Sequence, residues 1–183
     1  MDELTASLAE TVRTARQDRD LSASQLAERS GVSRAMIGKI ERGEAQPTAV
    51  LLGRLSAALG MSLSELVAKA EGRRFVKAAD QPLWTDPETG YRRRAISPSS
   101  GGPLELVEVE FPPKTEVAYP ADAYAFKHQQ IWLLEGHLTF HEGDLVHELD
   151  PGDCLHLGPP APTKFVNSSD KPCRYVVAIA RRA

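Results

Sequence analysis

The stretch from Leu21 to Gly43, LSASQLAERSGVSRAMIGKIERG, constrains the fold more than any other. Leu26, Ala27, Val32, Ile37 and Ile40 recur at helical spacing in two short segments. Gly31 stands between them. Glycine reaches positive φ without a Cβ clash, so the chain can end one helix there and reverse. Ser33 follows with a hydroxyl suited to capping the next helix. That second helix would turn Ser33, Arg34, Met36 and Lys39 outward. A short helix with a buried apolar face and a polar, cationic outer face suits the major groove of double-stranded DNA.

The bulk numbers set limits on this reading. The chain has 183 residues, 42% of them hydrophobic, enough for one domain or two small ones. A net charge of −3 is not that of a wholly basic nucleic-acid binder. Arg13, Arg16, Arg19, Arg29, Arg34, Lys39 and Arg42 nevertheless gather near the start, as a local patch partly offset by acids. The two cysteines, Cys154 and Cys173, make no disulfide framework and read as small core residues in strands. The opening MDELTASLAETVRTA is not a secretory signal, and no run approaches the ~20 apolar residues that span a bilayer. A cytoplasmic protein without a membrane partner is expected.

Two halves follow different rhythms. Up to about residue 70 the period is helical. Leu4, Leu8, Val12 and Ala15 share a face of a first helix. Gln46-Pro47-Thr48 opens a fourth, with Leu51, Leu52, Leu55 and Leu59 inward and Gly60 as its stop. Ser62 and Glu65 form a capping box for a fifth. Residues 71–100 read as a linker and irregular lead-in strands, and Arg92, Arg93 and Arg94 as a solvated edge strand. From residue 101 to 183 short strands alternate with Gly, Pro, Asn and Asp turns, beginning with LELVEVEF, which argues a β-sandwich or barrel.

The helical half resembles the λ-repressor-like helix-turn-helix domain of the Xre type over residues 4–68. The resemblance rests on the LxxxQLAxxxGVSxxxIxxIERG pattern and on Pro47, Gly60 and the leucines between them. It implies a five-helix bundle. It also implies that Arg34, Ala35, Met36 and Lys39 face base edges, with Ser33 and Arg42 on phosphates. Ser22 and Ser24 open the preceding helix, whose amides would hold a phosphate. Arg34 is the foremost specificity candidate, since a guanidinium bonds both acceptors of guanine. Arg16 and Glu41 match a family pair that ties the first helix to the third.

Residues 117–177 resemble a cupin, a double-stranded β-barrel. IWLLEG ends at Gly136 where the first cupin motif ends. Pro151-Gly152-Asp153, GPPAP and Asn167 match the second. The positions of the usual metal ligands hold Asp122, Tyr124, Gln129 and Thr163 instead. No metal and no cofactor are implied at that place. A site built from His128 and His156 remains an alternative. His137 and His141 read as pointing outward. Asp122, Tyr124, Gln129 and Thr163 would instead suit a small polar effector, with Ile131 as apolar floor and Asp122 favouring an amine.

Together the halves resemble Xre–cupin regulators. The implied molecule is a non-enzymatic, sequence-specific DNA-binding homodimer whose barrel senses the effector. The alternative is a cupin enzyme, of isomerase or dioxygenase type, fused to a DNA-binding arm.

Overall fold

The computed structural model describes residues 3–61, 63, 66, 74–98, 104–125 and 127–181. Four helices come first: α1 (Glu3–Gln17), α2 (Ala23–Ser30), α3 (Arg34–Glu41) and α4 (Ala49–Leu59). Their ends follow local chemistry. The Ser22 hydroxyl accepts from Gln25 N, and the Gln25 side chain accepts from Ser22 N, closing a capping box on α2. Gly31 ends α2 at φ 65°, Ser33 caps α3 through Met36 N, and Thr48 caps α4 through Leu51 N. Leu8, Val12, Leu26, Ile37, Ile40, Leu52, Leu55 and Leu59 fill the core between the helices. The Ser62–Glu65 capping box of the expected fifth helix lies outside the described residues. Leu63 and Leu66 are helical, and Leu66 is fully buried.

Among the described residues ten strands follow: β1 (Leu83–Thr85), β2 (Arg92–Ala95), β3 (Leu104–Phe111), β4 (Thr115–Tyr119), β5 (Lys127–Glu135), β6 (Leu138–Glu142), β7 (Leu145–Leu149), β8 (Cys154–His156), β9 (Thr163–Asn167) and β10 (Cys173–Arg181). They form two antiparallel sheets, ordered β1-β2-β3-β10-β5-β8 and β4-β9-β6-β7. The expected double-stranded β-barrel is therefore two sheets around one core that do not close into a barrel. The physical reason is visible beside β8. It spans three residues between Pro151-Gly152 and Gly158-Pro159-Pro160, and a proline has no N–H to extend a ladder.

Several local expectations change with the register. On β3 the inward set is Val107, Val109 and Phe111, while Leu104 is exposed. Cys173 is buried as expected, but Cys154 is exposed. The arginine triplet is not an edge: β2 lies between β1 and β3. Arg92 and Arg94 pair with Glu110 and Glu108 of β3, at 3.1 and 3.5 Å. Period two then sends Arg93, between them, to the opposite face, toward the interior. Among the described residues no helix is long and apolar enough to cross a membrane.

Candidate functional site

The outer surface of α3 is built by two constraints. Ile37 and Ile40 are buried, which leaves Arg34, Ala35 and Lys39 exposed and Met36 half-buried. Arg16 of α1 then fixes the helix. Its guanidinium meets the Glu41 carboxylate at 2.7 and 3.0 Å and donates to Leu21 O at 2.7 Å. This fork-to-fork pair is largely shielded, with side chains 15% and 11% exposed. Ser22, Ser24 and Ser33 are exposed at the N-termini of α2 and α3. The Ser22 and Ser33 oxygens already accept backbone amides. Arg42 is exposed and holds Glu44 at 2.7 Å, a contact that a phosphate would have to displace.

The β region, together with Leu63 of the helical half, lines a cavity that opens to solvent. Tyr124 and Gln129 line it. Thr163 lies in an adjoining recess and shares a 2.6 Å hydrogen bond with the Tyr124 hydroxyl. Ile131 is buried in the core but does not line the cavity. Asp122 is exposed on a short 3-10 helix, Ala121–Tyr124, and does not join the others. The expected amine-binding carboxylate is thus absent from the lining. The reason is the 3-10 turn, which buries Ala123 and Tyr124 and rotates Asp122 outward.

Sequence reasoning missed the groups that give this cavity its charge. Arg93 and Lys127 both line it, and no carboxylate does among the described residues. Burial pulls the Lys127 ammonium down to about 8; Glu105 opposes that fall and Arg93 adds to it. The phenols of Tyr91, Tyr119, Tyr124 and Tyr175 are all pushed up by burial and stay protonated. The signal for Arg93 lay in the triplet's parity, but only the pairing partner could fix its direction.

The β region also meets the helical bundle along α4. The buried Asp86, just after β1, accepts from Ala49 N at 3.0 Å, the first amide of α4. At the other end Lys127 Nζ donates to Met61 O at 2.8 Å, just past the last turn. An anion therefore sits at the positive end of the helix dipole and a cation at the negative end. Between them Gly53 faces Tyr119 so closely that an added Cβ would lie 2.8 Å from the ring.

The residues present do not fit a resident metal ion at the cupin positions. Asp122 points away, and Tyr124 and Thr163 bond each other. His128 and His156 have ring centroids 6.1 Å apart and are both exposed. Among the described residues no three His, Cys, Asp or Glu side chains converge as metal ligands. His137 is held outside between Glu148 and Asp150, at 2.7 and 3.0 Å.

Comparison with known proteins agrees with the helical bundle. Residues 12–66 match the helix-turn-helix model HTH_3. The HTH-type transcriptional regulator SutR of Escherichia coli is 40% identical over 68 residues, which is 37% of this chain and 38% of that one. The chain thus matches well under half of that regulator's length. The control protein C.SmaI of Serratia marcescens is 44% identical over 62 residues, 34% of this chain and 74% of that protein. In structure, an HTH_3 family transcriptional regulator from Vibrio cholerae superposes with a TM-score of 0.79 at 22% identity, over 97% of this chain and 96% of that one. That likeness extends the shared fold through the β sheets. The chain belongs to the helix-turn-helix family of transcriptional regulators.

Proposed function

We propose that the chain is a sequence-specific DNA-binding regulator whose β region binds an effector that changes DNA affinity. Residues 1–70 would act as the DNA-binding domain, 71–100 as the connection, and 101–183 as the sensor and dimerisation domain. The observation that carries this reading is α3. Its core face is fixed by the Arg16–Glu41 pair, and Arg34, Ala35 and Lys39 stand free for a groove. The sensor role draws on the cavity, whose lining residue Lys127 holds the C-terminal end of α4. The β region then binds rather than catalyses: its cavity offers cations and hydroxyl donors, without a paired base and nucleophile among the described residues.

Arg34→Ala is expected to weaken binding to a selected duplex by about 1–3 kcal/mol and to relax the preference at one base pair. A titration at fixed salt checks this. Unchanged affinity and preference would remove α3 as the reading helix.

A homodimer through the β region completes the proposal, because a single small helix-turn-helix unit covers little DNA. Trp132 on the outward face of β5 is 51% exposed, and Leu145 and Val146 on the edge strand β7 are 61% and 56% exposed. These are apolar surfaces that a second copy could cover. Light scattering of the full chain should give twice the chain mass, and Trp132→Arg or Leu145→Arg should lower it. A wild-type monomer at micromolar concentration would exclude the dimer.

A further inference from the structure

The cavity lining is donor-rich: among the described residues it holds Arg93, Lys127 and four tyrosines and no carboxylate, with Glu142 in the adjoining recess. The Tyr91 and Tyr119 hydroxyls lie 2.6 Å apart and share one hydrogen bond. One of them donates, so the other O–H has no acceptor within the pair. The Tyr124–Thr163 pair, also at 2.6 Å, leaves a second surplus O–H. Arg93 brings a guanidinium, which can only donate; it hydrogen-bonds the Tyr91 hydroxyl but has no carboxylate ion pair among the described residues. A charged group taken out of water without a counter-charge is costly, even when a neutral hydroxyl bonds it, and such a cost is recovered when an anion arrives. The rest of the wall is apolar: Phe111, Phe165, Val177 and Ile179.

We propose that the cavity binds a small organic acid, its carboxylate held by Arg93 and Lys127 and its apolar body against Phe111 and Phe165. This rests on the sensor reading above and gives its effector a chemical class. Arg93 supplies the planar fork that matches a carboxylate. Lys127 supplies the link to DNA binding. The ammonium that would meet the acid already holds Met61 O, at the C-terminal end of α4. α4 packs on α2, and α2 on α3. Occupancy therefore alters the hold on a helix of the DNA-binding bundle.

The test uses the full chain with benzoate, butyrate, benzamide, benzylamine and inorganic phosphate as probes, at millimolar concentration. Thermal melting and calorimetric titration report binding. Benzoate or butyrate should raise the melting temperature and bind at least about tenfold tighter than benzamide or benzylamine. Arg93→Met and Tyr119→Phe should weaken that binding, whereas Arg92→Gln, on the outward face of the same strand, should keep it. Binding should also weaken as pH rises through about 8, where Lys127 loses its proton. The charged and titratable groups facing Lys127 are Arg93 from β2, Glu105 from β3, Glu142 from β6 across the adjoining recess, and the protonated Tyr124; Arg93 is the one cation among them, so deprotonation of Lys127 halves the positive charge offered to the acid. No response to either acid, equal response to the amide or amine, or an undiminished response in both Arg93→Met and Tyr119→Phe would overturn the proposal. Phosphate binding as tightly as the acids would overturn the organic class. A parallel DNA titration without any acid separates the two readings. Tight DNA binding with no acid binding removes the effector class alone, and acid binding without DNA binding removes the regulator reading alone.

Discussion

Replacing Asp86 with alanine is expected to destabilise the protein by about 2–4 kcal/mol, the loss of a helix cap plus buried amides left without an acceptor. Asp86 is 2% exposed. One oxygen accepts from Ala49 N at 3.0 Å, and the other takes Thr89 N and the Thr89 hydroxyl. Alanine removes all of these acceptors at once, and it withdraws the negative charge from the α4 N-terminus. The damage should fall on the join between the helical bundle and the sheets. DNA affinity should therefore drop although Asp86 is far from α3 in sequence. Asp86→Asn should recover part of the loss, since an amide oxygen still accepts. Urea denaturation of the three proteins measures this, and an unchanged alanine midpoint would show that the cap contributes nothing.

The second large effect is expected at Arg16. Arg16→Met leaves the Glu41 carboxylate shielded without its cation and strips the donor from Leu21 O. Breaking one side of such a pair costs about 3 kcal/mol, because the remaining charge stays out of water. The helical bundle should loosen and α3 should lose its fixed attitude, so DNA binding should fall with stability. Pairing Arg16→Met with Glu41→Leu should restore much of the stability, since two apolar groups need no partner. Denaturation of the single and double variants decides it. Equal loss in both would mean that packing, rather than the stranded charge, sets the effect.

What was legible in the sequence was what local chemistry decides. Ser22, Ser33, Gly31, Thr48 and Gly60 each act within four residues of themselves, so the first four helices could be drawn from spacing alone. The Arg16–Glu41 tie came with the family resemblance and is present as expected. Strand rhythm was legible too, but its inward parity was not always. β3 turns Val107, Val109 and Phe111 inward, and only pairing with β2 and β10 fixes that. The cavity was the least legible part. Three adjacent arginines look alike in a string, and Arg93 differs because its two neighbours meet glutamates on β3. Asp122 looked like the pocket's charge until a 3-10 turn rotated it outward. Asp86 caps a helix 37 residues away, a relation that no local rule can reach.

The central claim is that α3 reads a DNA sequence under the influence of the β region. Selection of bound duplexes from a random pool by the full chain, with and without benzoate, tests it most directly. The expected result is an enriched two-fold symmetric motif with half-sites about one helical turn apart. Its enrichment should collapse for Arg34→Ala and shift in strength with the acid for the wild type. A pool that emerges without any enriched sequence, or one whose enrichment is indifferent to Arg34, would contradict the account.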